Sequence, residues 1–312
     1  MTAGIASLAD AVRTALRGIL VPLAVLTLAS PAHAQSTYGP VDDDVKAGWE
    51  GEVAVSATYA KRDRDLMSDY DRSGLGAQVV IGYRLPAGNS TNVRIEAEAE
   101  ADKFSESYGG TVELTQQLGK AVTISLAASG YKDRVTLESF DTDQAAVRAG
   151  VEIRAGSATI EGFARHRWRS YDDLAAGTGK GWQFGSRLRE RFGSHHWAEA
   201  RLSHERIDDN GGRHGYRRIS AGFDYSHPLT KRLRLRPGFD YREWKYQGRF
   251  VADLATNPKR KDRLVRPEMG LSWGKTKGLY LRGSAAWDFY RSNDPRFTGN
   301  GPRLQLVAGY RF

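Results

Sequence analysis

From residue 48 onward, apolar and polar positions alternate along the chain with a period of two. In LGAQVVIGYRL, Leu75, Ala77, Val79, Ile81, Tyr83 and Leu85 share one face. In VRIEAEAEAD, Val93, Ile95, Ala97, Ala99 and Ala101 alternate with Arg94, Glu96, Glu98, Glu100 and Asp102. In RLRLRPGFDYR, Leu233, Leu235, Pro237, Phe239 and Tyr241 stand against Arg232, Arg234, Arg236, Asp240 and Arg242. Successive side chains of a strand point to opposite faces, whereas an amphipathic helix needs apolar residues every three or four positions. Fourteen stretches carry the strand pattern: 48–61, 74–85, 92–103, 109–118, 121–131, 144–154, 158–170, 181–192, 197–207, 215–227, 232–246, 263–273, 278–291 and 302–312. The predicted fold class is all-β.

The joins between these stretches alternate in length. Those at 86–91, 119–120, 155–157, 193–196, 228–231 and 274–277 are short, while those at 62–73, 132–143, 171–180 and 247–262 are longer and more charged. A sandwich has no reason to sort its loops in this way. Short turns at one end and longer loops at the other are what an antiparallel up-and-down β-barrel in a membrane shows, here with about 14 strands and a range of roughly 12 to 16. The short turns are then periplasmic and the longer loops extracellular. Pro237 and Pro267 fall inside neighbouring predicted strands, where each removes a ladder hydrogen bond, so a bulge or local defect is expected there.

The aromatic residues follow the same layout. Trp49, Tyr83, Phe192, Trp197, Tyr225, Trp273, Tyr310 and Phe312 fall near one end of the strands, and Tyr59, Trp168, Trp182, Trp244, Trp287 and Phe289 near the other. Two such belts suit the headgroup levels of a bilayer. By parity alone, Trp197 and Trp244 belong to the polar face.

Composition adds a compartment. Residues 18–30, GILVPLAVLTLAS, form an uncharged apolar run behind Arg13 and Arg17, followed by the small-x-small site Ala32-His33-Ala34. Thirteen residues are too few to span a ~30 Å hydrocarbon core as a helix, so the run reads as a signal peptide. The expected organisation is a cleaved signal peptide at 1–34, a short periplasmic segment at 35–47 and the barrel at 48–312. The chain of 312 residues has no cysteine, which excludes a disulfide-stapled module and thiolate chemistry. Its charge of +9 would suit nucleic acid, but an exported chain without a recognition-helix pattern argues against that partner. Mean hydropathy is −0.53, and nothing after residue 34 resembles a membrane-spanning helix. Barrel strands, however, cross on ~9–11 residues with one apolar face.

The chain stops in mid-strand on LQLVAGYRF, with Leu304, Leu306, Ala308, Tyr310 and Phe312 on one face. This ending resembles the carboxy-terminal signal of Gram-negative outer-membrane β-barrel proteins of the porin kind. The resemblance implies outer-membrane localisation and recognition by the barrel assembly machinery. It also implies lipid, including lipopolysaccharide, as the surroundings. Residues 216–312 are also similar, in strand rhythm and final aromatic, to the barrel of the surface lipoprotein assembly modifier family. The helical-repeat domain of that family has no counterpart here.

With the apolar faces turned to lipid, the polar faces line the lumen. Candidate pore-lining carboxylates are Glu96, Glu98, Glu100 and Asp102. Candidate pore-lining arginines are Arg148, Arg165, Arg167, Arg169, Arg187, Arg189, Arg191, Arg232, Arg234, Arg236 and Arg282, with Arg154, Arg242, Arg266, Arg303 and Arg311 on the same faces. Charged rings set pore selectivity, and arginine favours anions. Fourteen strands lie between the filled eight-stranded and the open sixteen-stranded barrels, so both an open and a filled lumen remain in play.

Other chemistry is thin. Asp69, Asp71, Ser73 and Gly74 begin like a calcium loop, but Val80 stands where a bidentate Glu belongs. A cation held by Asp63, Asp65, Asp69 or Asp71, or zinc at His195-His196, lacks a complete ligand set, so no metal or cofactor is expected. His166, His204 and His227 have outward parity, and Ser203 faces away from His204, which leaves no catalytic pair and points away from an enzyme. The expected function is a passive channel for small hydrophilic, preferentially anionic solutes. The alternatives are a secretion or assembly barrel, for surface lipoprotein or polysaccharide export, and a structural barrel with a filled lumen. Oligomeric state is not legible.

Overall fold

In the computed structural model, the fourteen alternating stretches are fourteen long strands closed into a ring. Described residues are 47–312, except 65–69, 88–89, 103–105, 134–141, 172–176, 193–195, 212–213, 252–255 and 276. The proposed leader at 1–34, most of the 35–47 segment, and Asp65, Asp69 and His195 therefore lie outside the described residues. In chain order the strands are β1 (Gly48–Arg64), β2 (Tyr70–Asp71), β3 (Gly74–Pro86), β4 (Thr91–Asp102), β5 (Glu106–Leu118), β6 (Val122–Lys132), β7 (Thr142–Ala155) and β8 (Ala158–Tyr171). They continue as β9 (Gly177–Phe192), β10 (His196–Asp209), β11 (Tyr216–Pro228), β12 (Leu233–Phe250), β13 (Lys259–Gly274), β14 (Gly278–Ser292) and β15 (Gly299–Arg311). β2 is a two-residue extension that pairs with Lys61 and Arg62 of β1. The other fourteen are the barrel.

Each strand pairs antiparallel with its sequence neighbour, and β15 closes the ring against β1 over Val53↔Tyr310 to Tyr59↔Leu304. The Phe312 amide donates to the Gly51 carbonyl at 3.1 Å, and the Gly51 amide donates back at 3.2 Å. Closure leaves no open edge, which is the condition for a sheet to sit in lipid.

The faces sort as the alternation predicts. On β1, Trp49, Val53, Val55, Ala57 and Tyr59 are exposed outward, while Glu50, Glu52 and Ser56 are half-buried inside. Leu202, Leu279 and Leu306 are 61%, 68% and 51% exposed, as are their like around the ring. So much bare apolar surface on a closed barrel has one stable environment, the bilayer core. Trp49, Tyr83, Phe192, Trp273, Tyr310 and Phe312 cap this band at the end holding the carboxy terminus. Trp168, Trp182, Trp287 and Phe289 cap it at the other. Trp197 and Trp244 point inward: the Arg189 and Arg236 guanidiniums lie 5.1 and 5.4 Å from the Trp197 ring, and Trp244 is 1% exposed.

The prolines make defects without bulges. Pro237 pairs with Met269 of β13, but the β11–β12 ladder lapses between Asp224↔Gly238 and His227↔Leu235 and resumes in the same register. The β13–β14 ladder lapses likewise at Pro267, between Val265↔Phe289 and Glu268↔Ala286. The register shift in this region falls elsewhere, between Lys245 and Phe250. The outer joins are shorter than the alternation suggested, because β7 already begins at Thr142, β9 at Gly177 and β13 at Lys259. Beyond the apolar band both faces turn polar, so alternation fades while backbone pairing continues.

Interior aromatics fold down over glycines directly across the ladder, among them Phe163 over Gly185 and Tyr280 over Gly309. A Cβ on either glycine would stand 2.5 Å from the facing ring or its hydroxyl. The missing side chain lets each ring lie against the wall rather than project across the lumen.

Candidate functional site: the barrel interior

The interior has three parts. The first is a carboxylate wall on β1 and β3–β5. Glu50 accepts from Arg84 at 3.1 Å and from Arg94 at 2.5 Å, and Arg94 also reaches Glu96 at 2.6 Å. Glu98 accepts from the Gln78 amide at 2.6 Å and from the Tyr131 hydroxyl. Glu52 takes Arg311 at 2.6 Å and the Tyr280 hydroxyl at 2.5 Å, bridging β14, β15 and β1. Glu96 is buried, whereas Glu100 and Asp102 are exposed.

The second part is the arginine side, β7–β12. Arg148 and Arg187 both donate to Glu161. Arg189 holds Glu199 at 2.6 Å, and Arg201 holds Asp224 at 2.5 Å. Past these pairs a cavity of about 220 Å³ opens toward β15, lined by Arg201, Arg236, Arg266 and Arg282 and by Asp224, Asp240 and Glu268. Arg266 is clamped by Asp288 at 2.5 and 3.0 Å.

The third part fills the loop end. Glu205 of β10 is 1% exposed and receives Arg167 at 2.5 Å, Arg218 at 2.6 Å and the Tyr216 hydroxyl at 3.0 Å. Arg167 also donates to Gln183 at 2.7 Å, and Arg169 links Gln144 to the Tyr216 hydroxyl. Beside this cluster packs an apolar group of Ile207, Tyr216, Trp244, Tyr246, Leu264 and Tyr290, with Phe297 against it. Asp262 accepts from Arg260 at 2.6 Å and from Tyr290 at 2.5 Å, and Arg62 of β1 lies 4.1 Å from the Tyr290 ring. Lumen-facing side chains lose nearly all solvent contact only where other side chains fill the space, so this half of the cross-section is a packed block. The exposed Glu100 and Asp102 stand outside it.

Of the residues singled out from the sequence, Glu96, Glu98, Glu100 and Asp102 face the interior, as do Arg148, Arg165, Arg167, Arg169, Arg187, Arg189, Arg191, Arg234, Arg236 and Arg282. Arg232 does not. It is exposed in the turn before β12, where its carbonyl accepts from the Gly274 amide at 3.0 Å. The strand starts one residue later because the turn takes Arg232 into its own hydrogen bonds, with the Thr230 hydroxyl accepting from the Arg232 amide at 3.2 Å. The larger revision concerns carboxylates. Glu161, Glu199, Glu205, Asp224, Asp262 and Asp288 stand among the arginines and pair with them. Their strand parity was available in the sequence, because each shares the inward face of its own strand. The outward row Leu304, Leu306, Ala308, Tyr310 and Phe312 is half-exposed on the lipid face. His166 lies on the same outer surface, edge-on to Trp168 and Trp182 at 4.3 and 4.7 Å.

A closed, lipid-faced antiparallel barrel with charges inside defines an outer-membrane β-barrel of porin-like fold. Comparison with solved structures agrees. The fold is similar to the anion-selective porin from Comamonas acidovorans, at 9% identity and a TM-score of 0.54, over 86% of this chain and 99% of that one. It is similar to the outer membrane channel DcaP of Acinetobacter baumannii at 12% identity and a TM-score of 0.54, over 85% and 97%. It is also similar to OmpT, an outer membrane protein of Vibrio cholerae, at 7% identity and a TM-score of 0.53, over 85% and 97%. No family model matches the sequence, and no curated protein matches it.

Proposed function

We propose that the protein is a passive channel of the outer membrane for small hydrophilic solutes, with a preference for anions. The observation that carries this reading is the charged cavity of about 220 Å³ inside a closed barrel, where four arginines face three carboxylates. Guanidiniums and carboxylates interleaved along a low-dielectric lumen orient a polar solute in the passage. The solute enters past Glu100 and Asp102, beside the packed block, and meets the arginines further in. The likeness to a porin described as anion-selective supports the reading. In it the protein is no enzyme: His166, His204 and His227 face lipid. The row ending at Phe312 serves recognition by the assembly machinery.

The packed block favours a second reading, a structural barrel that does not conduct. Single-channel recording in a planar bilayer under a KCl gradient separates the two. Steady openings with a chloride-directed reversal potential support the channel, openings directed to potassium overturn the anion preference, and silence from folded protein overturns conduction itself.

A further inference from the structure

On the lipid side, at the loop end, four cations stand in one unbroken cross-strand row. The register places Arg206 of β10 opposite Arg217 of β11, Arg217 opposite Lys245 of β12, and Lys245 opposite Lys261 of β13. Arg263 and Arg291, opposite each other on β13 and β14, extend it. All six are exposed. Like charges directly opposed on an antiparallel pair repel, and an anion shared along such a row relieves that repulsion. The anions within the patch are too few. Asp208 accepts from Arg206 at 2.9 Å and from the Gln247 amide at 2.6 Å. Glu243 takes Lys245 at 3.1 Å, Arg263 at 3.5 Å and the Tyr241 hydroxyl at 2.9 Å. Among the described residues, neither Arg217 nor Lys261 has an ion-pair partner within 4.0 Å.

The height of the row is informative. Ile219 and Phe223 follow Arg217 on the outward face of β11, and Phe289 and Trp287 precede Arg291 on β14. At ~3.4 Å per residue, the charges sit about 7 Å beyond the start of the apolar band, at headgroup level. Trp182 lies directly across the ladder from Arg206. On β6, by contrast, the rim cation Lys132 is answered by Asp143 at 3.4 Å and Asp133 at 3.9 Å.

We infer that this row docks the phosphorylated headgroup of lipopolysaccharide. Three interstrand steps of ~4.8 Å span about 14 Å, enough for a disaccharide carrying a phosphate at each end, where a single phosphodiester answers only one or two of the cations. The inference rests on the membrane placement above, with the loop end outward. It does not require that the barrel conduct.

The test uses protein extracted folded from membranes into neutral micelles. It is titrated with bisphosphorylated lipid A, with dephosphorylated lipid A and with phosphatidylglycerol. The variant R217Q/K261Q removes two exposed cations that make no ion pair, and K132Q serves as a control from the far side. Bisphosphorylated lipid A should bind the wild type and K132Q at least tenfold more tightly than R217Q/K261Q. Without lipid A, R217Q/K261Q should melt no lower than the wild type, since repulsion is relieved. Equal binding by wild type and R217Q/K261Q, or equal binding of phosphorylated and dephosphorylated lipid A, overturns the inference. Phosphatidylglycerol binding as tightly as lipid A overturns the assignment to lipopolysaccharide. A barrel that binds lipid A but passes no current would remove the channel reading and leave this one standing.

Discussion

Glu205→Ala tests whether the loop end of the barrel is packed or wet. The carboxylate receives two guanidiniums and a tyrosine hydroxyl within 3.0 Å, and the side chains of Arg167 and Arg218 are 8% and 18% exposed. Alanine removes the one carboxylate that two buried cations and one hydroxyl share. Breaking one partner out of a buried ion pair costs about 3–5 kcal/mol. Because Arg218 keeps some access to solvent, the lower part of that range, about 3–4 kcal/mol, is expected. The assay is equilibrium urea unfolding in lipid vesicles, followed by tryptophan fluorescence and by loss of the compact band on unheated gels. Replacing the cluster as a unit, Arg167→Met with Glu205→Leu and Arg218→Met, should restore most of the loss, because well-packed apolar groups substitute for a buried ionic cluster at little cost. A loss below about 1 kcal/mol for Glu205→Ala, the size of an exposed pair, would refute the packed block and mean that water fills this half of the lumen.

Other outcomes follow from the same geometry. Trp244→Ala empties the centre of the block and should raise single-channel conductance while lowering stability by about 3–5 kcal/mol, read by the same recordings and urea titration; unchanged conductance would place the passage elsewhere. Arg236→Glu with Arg282→Glu reverses two of the four cavity arginines, and the reversal potential should move toward potassium. Removing Phe312 deletes the residue that pairs with Gly51 and should lower the yield of folded barrel in the outer membrane, measured by heat-modifiable gel mobility, without changing synthesis of the chain.

The strands were legible because their cause is local. A period of two turns every second side chain toward one face, and neighbours such as Ala97, Ile95 and Val93 declare that face without reference to anything distant. Even Trp197 and Trp244, odd among the aromatics, were placed inside by parity alone. Their surroundings were not. Trp244 sits against Tyr290, two strands away, and Glu52 meets Tyr280 across β15. Such contacts exist only once fourteen strands close with a particular curvature. Glu161 and Glu199 were equally readable as inward, yet isolated glutamates in an arginine-rich strand do not announce which arginine they hold. Arg232 shows the limit at strand ends, where a turn's hydrogen bonds decide one residue either way.

Alternation alone therefore determined the class of fold and the division into lipid face and lumen, since each depends on the side-chain period of a single strand. Register and closure decided the rest. They brought Arg167 and Arg218 onto one carboxylate, packed apolar side chains from five strands into one block, and aligned Arg206, Arg217, Lys245 and Lys261 in a row. The reason is physical: a residue's face follows from its own strand, but its partners follow from how far each strand is shifted against the next and how tightly the ring closes.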